Sequence, residues 1–330
     1  MSGKSQGIAI SRPADGHAAS GAGLPWWWLR PAAVAALLAL AGFLLYRTLR
    51  GYDFDDLVAS VLSVPLDHLA MAVGWAAASY LCLTGFDWLG LRYVDRRLPY
   101  RKVALASFVS LSLGHNIGFS GLSSGAVRYR YYSREGLTAG EVAKLVLFCG
   151  MTVGLGLIVL AGIAVLVRPA EAQEVLRLDH AATLAIGIAC LAVAVIYVAL
   201  AWFLRRPLHL FGWSMQMPDV RLALAQIALG TVNFAFVAAC LHQVLSVSVE
   251  VGYLATVSVY VLANTATLIA HVPGGLGVVE SVVVYLLPGS GVLPLVLVFR
   301  FVYFLLPLSI GGTLFALTEL GMSGSRDQAR

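Results

Sequence analysis

The run His271-Val272-Pro273-Gly274-Gly275-Leu276-Gly277-Val278-Val279-Glu280 interrupts apolar sequence that extends from Val251 to Ala270 before it and from Ser281 to Leu287 after it. Pro273 removes a backbone donor and clashes with the preceding turn, and Gly274 and Gly275 leave the backbone bare. In hydrocarbon such a break survives only where protein or a water-filled cavity satisfies the freed groups. Glu280 must be paired, neutral or hydrated there, because a lone carboxylate in lipid is costly. The run predicts the floor of a site built from a broken helix.

The rest of the chain supplies the lipid setting. Of its 330 residues 59% are apolar and 12% are charged, against about 25% charged in soluble domains, and the mean hydropathy is +0.84. Several runs reach the roughly 20 apolar residues needed to cross a bilayer. The net charge of +5 does not point to nucleic acid, because Arg and Lys cluster in short segments beside apolar runs, as topology signals do. Cys82, Cys149, Cys190 and Cys240 are far apart in apolar runs and read as small core residues.

Working outward, full spans are expected at about 29–48, 66–88, 141–167, 181–204, 222–246 and 291–319. Residues 1–28 read as a flexible tail, with Trp26, Trp27 and Trp28 as an interface anchor, and 321–330 as a second tail. Arg92, Arg96, Arg97, Arg101 and Lys102 follow the second span, and Arg205, Arg206 and Arg221 separate the fourth and fifth. These loops and both tails are expected to be cytoplasmic; the loops 49–65 and 168–180 and the segment around Glu250 are expected outside. That parity leaves two stretches, about 103–137 and 251–290, that must begin and end on one side. Each has a polar, Gly-rich centre: Gly114-His115-Asn116-Ile117-Gly118-Phe119-Ser120-Gly121-Leu122-Ser123-Ser124-Gly125 in the first, and Asn264 through the Pro-Gly-Gly run in the second.

The predicted fold is an all-α polytopic membrane protein: one membrane domain, 29–320, with about six full spans and two re-entrant or broken helical hairpins. The hairpins fall in an inverted repeat of about 66–167 and 222–319, the arrangement of many transporters. The alternative is eight or more full spans, since the 251–271 arm is long enough to cross.

Arg128-Tyr129-Arg130-Tyr131-Tyr132 closes the first hairpin. Guanidinium forks match phosphate oxygens, and the Ser120–Gly125 run ahead of them leaves N–H groups available to an anion. Arg300 lies inside an apolar helix with Tyr303 and Pro307 on roughly the same face. It either binds a charged substrate head or pairs with Glu280. Asp87, shortly before Arg92, reads as a helix-end acid. Asn116, His115 and His271 read as hydrogen-bonding groups of the hairpins. Gly121, Gly125, Pro273, Gly274, Gly275 and Gly277 read as structural. Gly150, Gly154, Gly156 and Gly162 suggest close helix packing. No metal-ligand spacing, Walker loop or nucleophile–base constellation is present, so no metal, cofactor or catalytic group is expected.

Three motifs in order, Ser120-Gly-x-x-Ser-Ser-Gly-Ala-Val-Arg-Tyr-Arg130, Pro273-Gly-Gly-Leu-Gly-Val-Val-Glu280 and Arg300-Phe-Val-Tyr-Phe-Leu-Leu-Pro307, resemble the lysylphosphatidylglycerol synthase transmembrane-region family, the flippase-like domain that also occurs alone in YbhN-type proteins. Ser124 stands where relatives often carry another Gly. The resemblance implies a bacterial inner-membrane protein that translocates a phospholipid or related polar lipid. It makes Gly121, Arg128, Arg130, Pro273, Gly274, Gly275, Glu280, Arg300 and Tyr303 signature positions, and substrate contacts are expected at Arg128, Arg130, Glu280, Arg300, Tyr303, Asn116, Ser120 and His271. In full-length synthases a separate cytoplasmic domain transfers the amino acid; this chain is expected to lack it and not to be an enzyme. Two alternatives stand: an integral-membrane enzyme on a lipid-linked substrate, and a non-transporting partner subunit of a lipid or hopanoid synthesis complex. Membrane lipids are the expected partners, with a homo-oligomer or a lipid-synthesis enzyme left open.

Overall fold

The structure, a computed structural model, describes residues 54–117, 120–204, 208–210, 213–270, 275–287, 289 and 291–327. In order the elements are α1 (Phe54–Ser63), α2 (Leu66–Tyr93), α3 (Tyr100–Ile117), α4 (Ser120–Tyr132) and α5 (Ala139–Val167). Then follow α6 (Pro169–Leu176), α7 (His180–Phe203), strands β1 (Leu208–Leu210) and β2 (Trp213–Met215), and α8 (Val220–Leu245). The chain continues with α9 (Tyr253–Ala270), α10 (Val278–Leu286), α11 (Val292–Arg300), a wide helical turn (Phe301–Leu305) and α12 (Leu306–Asp327).

Capping residues set the start of three spans. Thr138 and Glu141 bond reciprocally at the head of α5, and Asp179 and Asp219 accept the N–H groups of Ala182 and Leu222 at 2.9 and 2.6 Å. Each cap satisfies donors that the first helical turn leaves without an intrahelical partner.

Among the described residues, six helical segments are long and apolar enough to cross a membrane: Leu66–Tyr93, Ala139–Val167, His180–Phe203, Val220–Leu245, Tyr253–Ala270 and Val292–Glu319. The protein is a polytopic all-α membrane protein, with a short ribbon between the fourth and fifth predicted spans as the strand content of the described residues. Five predicted spans coincide with these segments, and the first, 29–48, lies outside the described residues. The sixth segment is the 253–270 arm whose length had allowed a crossing. Two predicted loops are helical: 49–65 contains α1, which packs on α11, and 168–180 contains α6, with Pro169 in its first turn.

The hairpins are visible as packed pairs, α3 with α4 and α9 with α10. Each has a longer first arm, 18 residues in both cases, and a shorter second arm of 13 or 9 residues. The packing matches across the two halves: α2 on α3 as α8 on α9, α4 on α5 as α10 on α11, and α3 on α12 as α9 on α5. The two leading spans, α2 and α8, lie against each other at the centre.

Close approach of backbones holds α5 to α8. A Cβ at Gly156 would lie 2.3 Å from the carbonyl carbon of Gly230, so the helices cross where neither has a side chain. Gly162 is likewise crowded, by Leu191 and Cys190. Gly150 and Gly154, expected in the same role, have nothing within 4 Å of an added Cβ.

Candidate functional site

Beyond the break, Gly275 and Gly277 have φ of +60° and +77°, a conformation that glycine adopts without a Cβ penalty. A Cβ at Gly275 would also meet the Thr267 side chain at 2.7 Å. The turn puts Glu280 in the first turn of α10, facing α11. Arg300 Nε donates to Glu280 Oε1 at 2.5 Å and Nη2 to Oε2 at 3.0 Å, a two-pronged pair with side chains 4% and 6% exposed. Nη2 also donates to the Gly275 carbonyl at 3.1 Å, so the guanidinium ties α11 to the break itself. His271, Pro273 and Gly274 lie outside the described residues.

The first hairpin has its own buried pair. Arg128 Nε donates to both Asp87 oxygens at 3.1 and 3.0 Å, and Nη2 donates to Oδ1 at 2.7 Å. Nη1 reaches Ser124 Oγ at 2.8 Å, and the Tyr132 hydroxyl donates to Asp87 Oδ2 at 2.7 Å. Arg128 and Asp87 are buried. Asp87 is thus no helix-end acid but the counter-ion of the hairpin, and Arg92 instead lies over the Trp88 ring at 3.5 Å. A helical period, unlike an alternating one, stacks Ser124, Arg128 and Tyr132 on one stripe, which is the signal in the sequence for this arrangement.

Arg130 turns the other way. Its Nε and Nη2 hold Glu319 Oε1 and Oε2 at 2.7 and 2.5 Å, and Arg134 Nη2 reaches Oε1 at 2.8 Å. The neighbouring Tyr131 hydroxyl lies 2.7 Å from Thr318 Oγ1. The short arm is therefore fastened to α2 on one side and to α12 on the other.

The Ser120–Gly125 run, expected as an open anion cradle, is helical: it opens α4. From Ser124 onward the helix ladder takes the N–H groups. Gly121 has nothing within 4 Å of an added Cβ and Gly125 only ordinary contact with Val146. The crowded glycine of this hairpin is Gly114, whose Cβ would lie 2.6 Å from that of Ser124. The Ser120 side chain lies outside the described atoms.

Between the two pairs runs the wide turn. Leu306 N–H donates to Phe301 O, five residues back, and Pro307 has no N–H to offer Tyr303 O. The first half of the molecule answers both neighbouring carbonyls: Tyr80 Oη donates to Tyr303 O and Asn116 Nδ2 to Phe304 O, each at 3.4 Å. The Tyr303 hydroxyl lies 2.9 Å from Ser79 Oγ, which donates to Asn233 Oδ1 at 2.8 Å. Arg300 and Tyr303 thus reach different partners, the second hairpin and the α2–α8 contact. His115 Nδ1 is buried with no hydrogen-bond partner among the described residues, its ring beside Tyr80.

A polytopic helical protein with two packed hairpins, each tied by a buried arginine–carboxylate pair, is the class that this fold and site define. The sequence model for the lysylphosphatidylglycerol synthase TM region matches residues 27–311, and the chain belongs to that family. It is 30% identical to slr0712 of Synechocystis, an uncharacterized protein, over 85% of this chain and 88% of that one. It is 30% identical to the inner membrane protein YbhN of Escherichia coli, over 76% of this chain and 80% of that one. A phosphatidylglycerol lysyltransferase of Staphylococcus aureus is 24% identical over 83% of this chain, a match covering 32% of that enzyme.

Proposed function

We propose that the protein is a lipid translocase of the bacterial inner membrane, moving a phospholipid or related polar lipid between leaflets, with both chain termini cytoplasmic. The observation that carries this reading is the Glu280–Arg300 pair, closed on the carbonyl of a broken helix inside apolar sequence. A charged pair at such depth is costly to maintain and marks a path for polar groups. The short arms support re-entrance: 13 and 9 residues rise about 20 and 14 Å, short of the ~30 Å hydrocarbon layer. The matched packing of the two halves supports an inverted repeat whose rocking exposes the site to each side in turn. The lipid phosphate exchanges with Glu280 for Arg300, while Tyr303 stays on Ser79 and positions the wide turn. Arg128 is committed to Asp87 and positions the first hairpin, with Asn116 holding the wide turn. The kinship to a lysyltransferase that acts on phosphatidylglycerol makes an anionic glycerophospholipid the first substrate to try.

The test is headgroup-labelled lipid exchange in proteoliposomes, comparing the wild type with folded Arg300→Ala and Glu280→Gln. Exchange should be present in the wild type and fall in both variants. Exchange untouched by either change would remove the pair from the path, and none with anionic or zwitterionic lipids would refute transport.

A further inference from the structure

Away from the Glu280–Arg300 pair, one carboxylate is shared by two guanidiniums. Arg130 and Arg134 both bind Glu319, leaving the trio with a net single positive charge. The cluster is reachable, with side chains 25%, 33% and 11% exposed. It also continues an apolar ladder. Leu122, Ala126 and Arg130 follow one another at four-residue spacing along the short arm, which places them as neighbours on one helical face, and Arg134 lies in the tight turn, Ser133–Glu135, just past its end. Leu122 is 78% exposed, Ala126 is exposed, and Tyr129 beside them is 46% exposed. An apolar strip about 10 Å long ending in paired guanidiniums has the chemistry of an amphiphile's tail and phosphate.

We propose that this face of the first hairpin is a docking site for an anionic phospholipid, whose phosphate displaces Glu319 from Arg130 and Arg134 while an acyl chain lies along Leu122 and Ala126. Arginine forks serve carboxylate and phosphate alike, so the exchange trades one anion for another without leaving either cation bare. Losing the Glu319 contacts also loosens α12, the helix that continues from Arg300, from the short arm, leaving Tyr131 on Thr318 to hold it. The site deepens the transport reading and rests on it for its purpose, but its occupancy can be measured separately.

The experiment uses the full chain with a diazirine side chain in place of Leu122, reconstituted in phosphatidylcholine vesicles with or without phosphatidylglycerol. Photolabelling should favour phosphatidylglycerol. Arg130→Gln and Arg134→Gln should each reduce that preference roughly tenfold, the worth of one charge-assisted contact. Glu319→Gln should raise it, a gain that misfolding cannot imitate. Equal labelling of both lipids in every variant, or a fall with Glu319→Gln, would leave the trio as a brace and overturn the site. Suppression of labelling by inorganic phosphate would make the ligand a free anion and overturn its lipid identity. Selective labelling without lipid exchange would sink the transport reading and keep this site; exchange with unselective labelling would do the reverse.

Discussion

Gly156 of α5 and Gly230 of α8 touch backbone to backbone, with a Cβ on Gly156 falling 2.3 Å from the Gly230 carbonyl carbon. Neither neighbour is a flexible side chain that could swing aside. Gly156→Ala should therefore cost at least about 1–3 kcal/mol, the range for an overpacked core. Gly150→Ala, which meets nothing within 4 Å, should be neutral or slightly stabilising through helix propensity. Thermal denaturation in detergent of the two variants, side by side, measures the contrast.

The Asp87–Arg128 pair makes a different demand. Both residues are buried, and removing one partner strands the other charge, at a typical cost of about 3–5 kcal/mol. Asp87→Asn and Arg128→Gln should each sharply lower the yield of folded protein. The double variant should lose less than the sum of the singles. Additive losses would mean that the two do not act as a pair.

At the head of α5, Thr138 and Arg96 both bond to Glu141, yet their substitutions should differ. Thr138→Ala removes a cap bonded to the Glu141 N–H, worth about 1 kcal/mol. Arg96 is exposed and its ion pair screened, so Arg96→Ala should leave the melting temperature unchanged. A larger shift for Arg96→Ala would reverse the assignment.

Pro307 and Tyr80 should be coupled although they share no bond. Pro307 cannot give Tyr303 O the bond that the residue four along ordinarily donates, and the Tyr80 hydroxyl is there at 3.4 Å. Tyr80→Phe should cost about 1 kcal/mol or less. In a Pro307→Ala background, where residue 307 can supply an N–H, the same change should cost nothing. Equal costs in both backgrounds would show that the hydroxyl does not serve this carbonyl.

Apolar run length located five of the spans, because burial in lipid depends on local composition that any window of sequence displays. The end of α9 and the turn into α10 were legible for the same local reason: Gly275 and Gly277 take backbone conformations that glycine favours. The Glu280–Arg300 contact could be anticipated because two charges twenty residues apart had few partners within apolar sequence. Asp87 was not legible. Arg92 stood close by in sequence, while its true partner lies 41 residues away and is met only when the fold brings the Arg128 side chain of α4 to α2. Glu319, 189 residues from Arg130, is a still longer-range case. Arg128 and Arg130 were grouped by their nearness in sequence at the end of the first hairpin; two residues apart in a helix they diverge, one to α2 and the other to α12.

The wide turn at Phe301–Leu305 sets the phase of everything after it. One extra residue in a helix rotates the following segment by about 100°. Arg300, before the turn, addresses α10; Glu319, after it, addresses α4. Deleting a single residue within 301–305 would preserve composition, hydropathy and nearly the full span length. It would nonetheless swing Glu319 and Thr318 away from Arg130, Arg134 and Tyr131 while leaving Arg300 in place. The azimuth of one membrane helix, carried by a single surplus residue, is what lets the same span serve two hairpins.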